Sequence, residues 1–158
     1  MQTLIVVESW FGNTRQIADV LNDALSALGH HVDQCSATEA PDQIPSEIGL
    51  LIIGAPTHSR GLSRTNTRRQ TGASDAERGV REWLSSLTFS EQLRIAFFTT
   101  VTSTSWFAGS AAKEGRKLLA RRYRQSDLPL EHFLVEGMKG PLRTGESERA
   151  AQWAAGLV

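Results

Sequence analysis

Apolar residues along the chain fall into two kinds of run. Leu4-Ile5-Val6-Val7, Leu50-Leu51-Ile52-Ile53, Ile95-Ala96-Phe97-Phe98 and Phe133-Leu134-Val135 are continuous and rich in β-branched or aromatic residues. Uninterrupted runs of this length predict strands buried on both faces. His31-Val32-Asp33-Gln34-Cys35 reads as a shorter, more polar strand. Between these runs the period changes. Ile17, Leu21, Ala24, Leu25 and Leu28 lie on one stripe of a helix that stops at Gly29. Val80, Trp83, Leu84 and Leu87 mark a helix from about residue 76 to 87. Further helices are expected over about 109–124 and 147–157, and a loop over about 55–75. Five strands alternating with helices predict an α/β fold, a doubly wound parallel sheet with helices on both faces. No repeat or linker interrupts the pattern, so residues 1–158 are expected to form a single domain.

Composition narrows the class. The 158 residues are 40% hydrophobic and 22% charged, as in ordinary globular chains. No apolar run reaches the roughly 20 residues of a membrane span. The chain enters a strand at once, so no secretory signal is expected, and a lone Cys35 suits a reducing, cytoplasmic compartment. Cys35 reads as a small hydrophobe rather than a reactive thiol. Net charge is zero but unevenly spread. Residues 1–58 carry seven acids and one base, −6, and residues 59–158 carry sixteen bases and ten acids, +6. That asymmetry can steer a charged ligand or partner, or can simply be a solvated surface.

The chemistry concentrates after the first strand. Glu8-Ser9-Trp10-Phe11-Gly12-Asn13-Thr14 joins a strand to a helix, where backbone N–H groups and the positive end of the helix dipole converge. Ser9 and Thr14 add hydroxyl donors. With no Lys or Arg inside the loop, a phosphate held by dipoles and hydrogen bonds is the expected guest. The plain alternative is a strand-to-helix turn with Asn13 or Thr14 as N-cap. Neither the spaced glycines of a dinucleotide fingerprint nor a Gly-Lys-Ser/Thr loop is present. Two other unusual loops, 55–75 and 99–109, also follow strands. All three therefore lie on the carboxyl edge of the sheet, where such folds bind ligands.

In element order, length and loop motif the chain resembles the flavodoxin family. Flavodoxins have a five-stranded parallel sheet in the order 2-1-3-4-5 and bind FMN at its carboxyl edge. Their phosphate loop, Ser/Thr-x-Thr-Gly-x-Thr, is matched by Ser9 to Thr14 except at Phe11. A subtype with Phe-Gly-Asn-Thr, Pro-Thr-His and Gly-Pro-Leu segments is matched by residues 11–14, 56–58 and 140–142. The resemblance implies that Ser9, Gly12, Asn13 and Thr14 hold the FMN phosphate, helped by the N–H groups of Trp10 and Phe11. It implies that Pro56, Thr57, His58, Ser59 and Gly61 border one side of the flavin. Thr99, Thr100, Val101 and Thr102 would line the other side, with Trp106 near the position of a stacking aromatic.

Three departures stand out. Phe11 replaces a threonine hydroxyl, His58 stands where flavodoxins often carry Trp, and the loop after the third strand is basic (Arg60, Arg64, Arg68, Arg69) where flavodoxins tend to be acidic. That loop could attract pyridine-nucleotide phosphates or an acidic partner, or be mobile and solvated for want of an apolar anchor. The helix from Lys113 to Arg124 holds six bases and one acid, but no recognition motif for nucleic acid accompanies it. His30 and His31, adjacent on a strand, point to opposite faces and cannot easily share an ion. Trp83 and Trp153 are expected in the core. Three functions follow. The first is an FMN-binding electron-transfer protein serving a redox partner protein or a small-molecule donor or acceptor, as a monomer or weak dimer away from membranes. The second is an FMN-dependent NAD(P)H or quinone reductase. The third is a binding module that has lost tight FMN affinity.

Overall fold

The computed structural model describes residues 1–57, 61–72, 78–103, 110–121 and 128–158. Its strands are β1 (Gln2–Val7), β2 (His31–Ser36), β3 (Ile48–Pro56), β4 (Arg94–Val101) and β5 (Leu130–Leu134). They form one parallel sheet in the order β2-β1-β3-β4-β5. The helices are α1 (Asn13–Ala27), α2 (Thr65–Gln70), α3 (Val80–Ser86), α4 (Ala111–Ala120) and α5 (Glu146–Ala155).

Because side chains alternate along a strand, the continuous apolar runs divide into two cores. Ile5, Val7, Leu50, Ile52, Ala96, Phe98 and Phe133 face α1 and α5, meeting Ile17, Leu21, Leu25, Ala150 and Ala154. Leu4, Val6, Leu51, Ile53, Ile95 and Phe97 face the opposite layer, meeting Val80, Trp83, Leu84, Ala112 and Leu119. Trp83 is fully buried and its indole N–H donates to the Pro41 carbonyl at 2.9 Å. Trp153 is half-buried and meets Phe98 and Phe133 edge-on. No helix among the described residues is long and apolar enough to cross a membrane.

Two expectations need correction. The stretch after β3 contains a helix, α2, where the apolar pattern predicted only loop. It has an anchor after all, the Arg68 side chain, which is 1% exposed. Downstream, α3 begins at Val80, and residues 73–77 lie outside the described residues.

Cys35 sits on β2, half-buried. Burial, with the Glu39 and Asp33 carboxylates nearby, pushes its thiol up from the ordinary value. That keeps it protonated, as a small hydrophobe.

Candidate functional site

In the sheet register Val7 lies beside Gly54, Ala55 beside Thr99 and Pro56 beside Thr100. The segments leaving β1, β3 and β4 therefore emerge side by side. The switch in strand order falls between β1 and β3, the place where sheets of this kind receive ligands beyond their carboxyl edge.

The first segment opens α1 in an unexpected way. The N-cap is Gly12, not Asn13 or Thr14, and Gly12 takes the left-handed conformation at φ +89°. Only glycine enters that region without steric cost. Asn13 and Thr14, as the first helical residues, keep their backbone N–H groups pointing out of the helix. Ser9 Oγ reaches back and accepts from the Arg15 amide at 3.2 Å, so it caps the helix in place of an N-cap side chain. The amides of Phe11, Gly12, Asn13 and Thr14 have no protein partner among the described residues. This is the donor set an anion requires: several amides at the positive end of a fifteen-residue helix, with the Ser9 hydroxyl proton beside them.

The other two segments are tied to the first by hydroxyl pairs. Thr14 Oγ1 and Thr100 Oγ1 are 2.8 Å apart and buried on the α1 side. Thr57 Oγ1 and Thr99 Oγ1 are 2.8 Å apart on the other side, and the Ala111 amide of α4 donates to Thr57 Oγ1 at 3.0 Å. The Thr57 amide donates to the Thr100 carbonyl. Thr100 is thus tied to the α1 N-terminus, and Thr57 and Thr99 to each other and to α4. Val101 does not join them; it is buried and its carbonyl accepts from the Val135 amide. Thr102 is exposed past the strand end, Pro56 is half-buried, and Gly61 packs against the Glu114 carboxylate of α4. His58, Ser59 and Trp106 lie outside the described residues.

Glu8 opens the run after the first strand, but the sequence assigned it no contact. It follows β1 directly, is buried, and accepts from the Ser63 hydroxyl and from the Val80 amide at 2.8 Å. Arg68 Nη1 donates to Ser63 Oγ at 2.7 Å and Nη2 pairs with Glu82 Oε2 at 2.9 Å. A second clamp holds the same stretch: Arg81 donates to the Leu62 and Ser63 carbonyls and pairs with Glu114 at 2.6 Å, while Glu114 Oε2 accepts from the Leu62 amide. The basic segment after β3 is thus held to the crevice by polar contacts, which no hydrophobic pattern can reveal.

The turn after β5 also reaches the crevice. Gly140 lies against the Asn13 side chain so closely that a Cβ there would sit 2.3 Å from Asn13 Oδ1. Its neighbour Lys139 holds its ammonium 5.8 Å from the centre of the Phe11 ring. At the far edge, His132 Nε2 and Ser110 Oγ are 2.8 Å apart, and Ser110 caps α4. Burial, then the Lys113 charge, push the His132 imidazole below its ordinary value, so neutral imidazole is favoured there.

Comparison with known proteins bears on the whole architecture. No family model matches the chain, and no curated protein matches it. Solved structures do. Oxidised flavodoxin 1 from Bacillus cereus aligns with a TM-score of 0.71 at 18% identity, covering 99% of this chain and 97% of that one. Flavodoxin 2 from Bacillus cereus aligns at 0.64 and 21%, and a Streptococcus pneumoniae TIGR4 flavodoxin at 0.66 and 18%, each with the same coverage. At such identities the likeness is one of architecture. Together with the strand order β2-β1-β3-β4-β5, it establishes that this chain has the flavodoxin-like fold.

Proposed function

We propose that the protein binds one FMN at the carboxyl edge of the sheet and transfers electrons to a partner. The observation that carries this reading is the set of amides from Phe11 to Thr14 at the head of α1 that have no partner among the described residues, beside the ends of β3 and β4. The full-length likeness to flavodoxins supports it. Ser9, Gly12, Asn13 and Thr14, with the amides of Trp10 and Phe11, would hold the phosphate. The segment from Pro56 to Gly61 and the segment from Thr99 to Thr102, continued to Trp106, would border the ring. A bound flavin supplies the one- and two-electron chemistry, and the protein supplies orientation and electrostatics. The paired hydroxyls Thr57–Thr99 and Thr14–Thr100 tie the ends of β3 and β4 and the head of α1 together at this edge.

A second reading, an FMN-dependent reductase, has one observation in its favour. A cavity of about 310 Å³ beside Ser9 and Trp10 is lined by Arg15, Arg68 and Arg78 together with Glu8; with Arg68 paired to Glu82 and Arg78 to Asp42, Arg15 is the lining base it would turn to an anionic second substrate. The FMN-loaded protein, freed of excess flavin by desalting, separates the two. A carrier, once reduced chemically, passes electrons to a protein acceptor but does not oxidise NADPH by itself. Sustained NADPH oxidation by the loaded protein alone decides for the reductase. A protein that retains no flavin and quenches no FMN fluorescence removes both.

A further inference from the structure

The loop from Ser9 to Thr14 contains no base, and at Phe11 it lacks a hydroxyl donor that the resemblance leads one to expect. A helix terminus offers only about half a positive charge, whereas a phosphate monoester carries close to two negative charges at neutral pH. A neighbouring segment brings a cation to that place.

After β5 the chain makes a tight turn. The Gly140 amide donates to the Gly137 carbonyl at 2.9 Å, and the Glu136 amide to the Pro141 carbonyl at 2.8 Å. Val135 and Leu142 pair antiparallel across it. Both arms are fixed to the sheet, through the Val135 amide on the Val101 carbonyl and the Arg143 amide on the Leu134 carbonyl. Gly140, at φ +95°, lets the turn rest on Asn13, and Lys139 is carried to the phosphate loop. There its ammonium sits over the Phe11 ring at 5.8 Å, within cation–π range. Phe11 is itself 37% exposed, although a ring of that size gains by burial. Lys139 makes no ion pair among the described residues, so its charge is not spent on a neighbouring carboxylate.

We infer that Lys139 is a phosphate-binding residue: seated on Phe11 and delivered by the turn after β5, it supplies the counter-charge that the loop from Ser9 to Thr14 does not contain. Phe11, in place of a donor to the phosphate, serves as the platform for the cation that takes over that task. The inference rests on the proposed FMN site and adds the feature by which this chain tells a phosphorylated flavin from an unphosphorylated one.

The test is fluorescence titration of the whole chain with FMN and with riboflavin, at low and at high salt. The wild type is compared with Lys139→Gln and with Lys117→Gln, a charge-matched change on the exposed side of α4. Circular dichroism confirms that each variant is folded. Lys139→Gln is expected to weaken FMN about tenfold at low salt, the scale of one charge-assisted contact to phosphate. Riboflavin affinity stays the same, and the FMN deficit shrinks at high salt as the charges are screened. Lys117→Gln binds FMN as the wild type does. FMN affinity unaffected by Lys139→Gln, or FMN and riboflavin weakened alike, overturns the role of Lys139 while leaving the flavin site standing. A wild type that binds FMN no better than riboflavin overturns the phosphate loop itself, and the inference with it.

Discussion

Arg68→Leu is the most demanding test of how the crevice is held. The wild-type guanidinium is 1% exposed and meets Ser63 Oγ at 2.7 Å, Glu82 Oε2 at 2.9 Å and Thr65 Oγ1 at 3.3 Å. Leucine fills part of the volume but leaves carboxylates behind. Glu8, which is buried, keeps the Ser63 hydroxyl and the Val80 amide, and so retains donors. Glu82 loses its ion partner but is one-third exposed and can rehydrate. Breaking a buried pair from one side costs about 3–5 kcal/mol, and the rehydration of Glu82 points to the lower end, about 3 kcal/mol. For a chain of this size that lowers Tm by about 6–12 °C. Urea unfolding followed by circular dichroism measures the first figure and a thermal melt the second. Lys117→Leu, on the exposed side of α4, is the control, expected within about 0.5 kcal/mol of wild type. A loss under about 1 kcal/mol for Arg68→Leu, the worth of a surface pair, refutes the claim that Arg68 anchors α2.

Other predictions follow from single contacts. Gly12→Ala should cost about 1–2 kcal/mol through backbone strain alone, since a Cβ at φ +89° would touch nothing within 4 Å; unchanged stability in urea would contradict the left-handed N-cap. The Glu146 carboxyl is pushed up by burial, yet hydrogen bonds from Arg149 and the Leu134 amide outweigh this and hold it below the usual carboxylate range. A lowered carboxyl stabilises the fold above its unfolded value, and that contribution disappears as pH falls through the folded one. Glu146→Gln should therefore cost about 1.5–3 kcal/mol at neutral pH and progressively less in acid, as read by urea unfolding across pH. A cost independent of pH would mean that the charge on Glu146 is immaterial.

The sheet could be read from the sequence because its three central strands are buried on both faces, so Leu50 to Ile53 and Ile95 to Phe98 leave no polar gap. The periodic helix α1 was legible for a related reason, its apolar stripe at Ile17, Leu21 and Leu25. Its start was not. Asn13 and Thr14 are favoured cap residues, and nothing local says that Gly12 will turn left-handed and Ser9 will cap from further back. The helix α2 was hidden because its one buried side chain is an arginine, and periodicity counts arginine as surface. Lys139, and the contacts of Glu8, were not legible for a different reason. Each matters through a partner distant in sequence: Lys139 through Phe11, and Glu8 through Ser63 and Val80. Hydroxyl motifs such as Ser9 to Thr14 and Thr99 to Thr100 could be read locally because the chain presents them in one run.

The proposed FMN site stands or falls on whether the amides at the head of α1 receive the phosphate. Backbone amide NMR of the whole chain, titrated with FMN and separately with riboflavin, addresses those groups one by one. FMN is expected to shift the amides of Phe11 to Thr14 most strongly, together with Thr57 and Thr99 to Thr102, while riboflavin leaves residues 11–14 largely unmoved. FMN shifts that spare residues 11–14, or that fall instead at the opposite edge of the sheet around the cavity lined by Leu50 and Arg94, would contradict it.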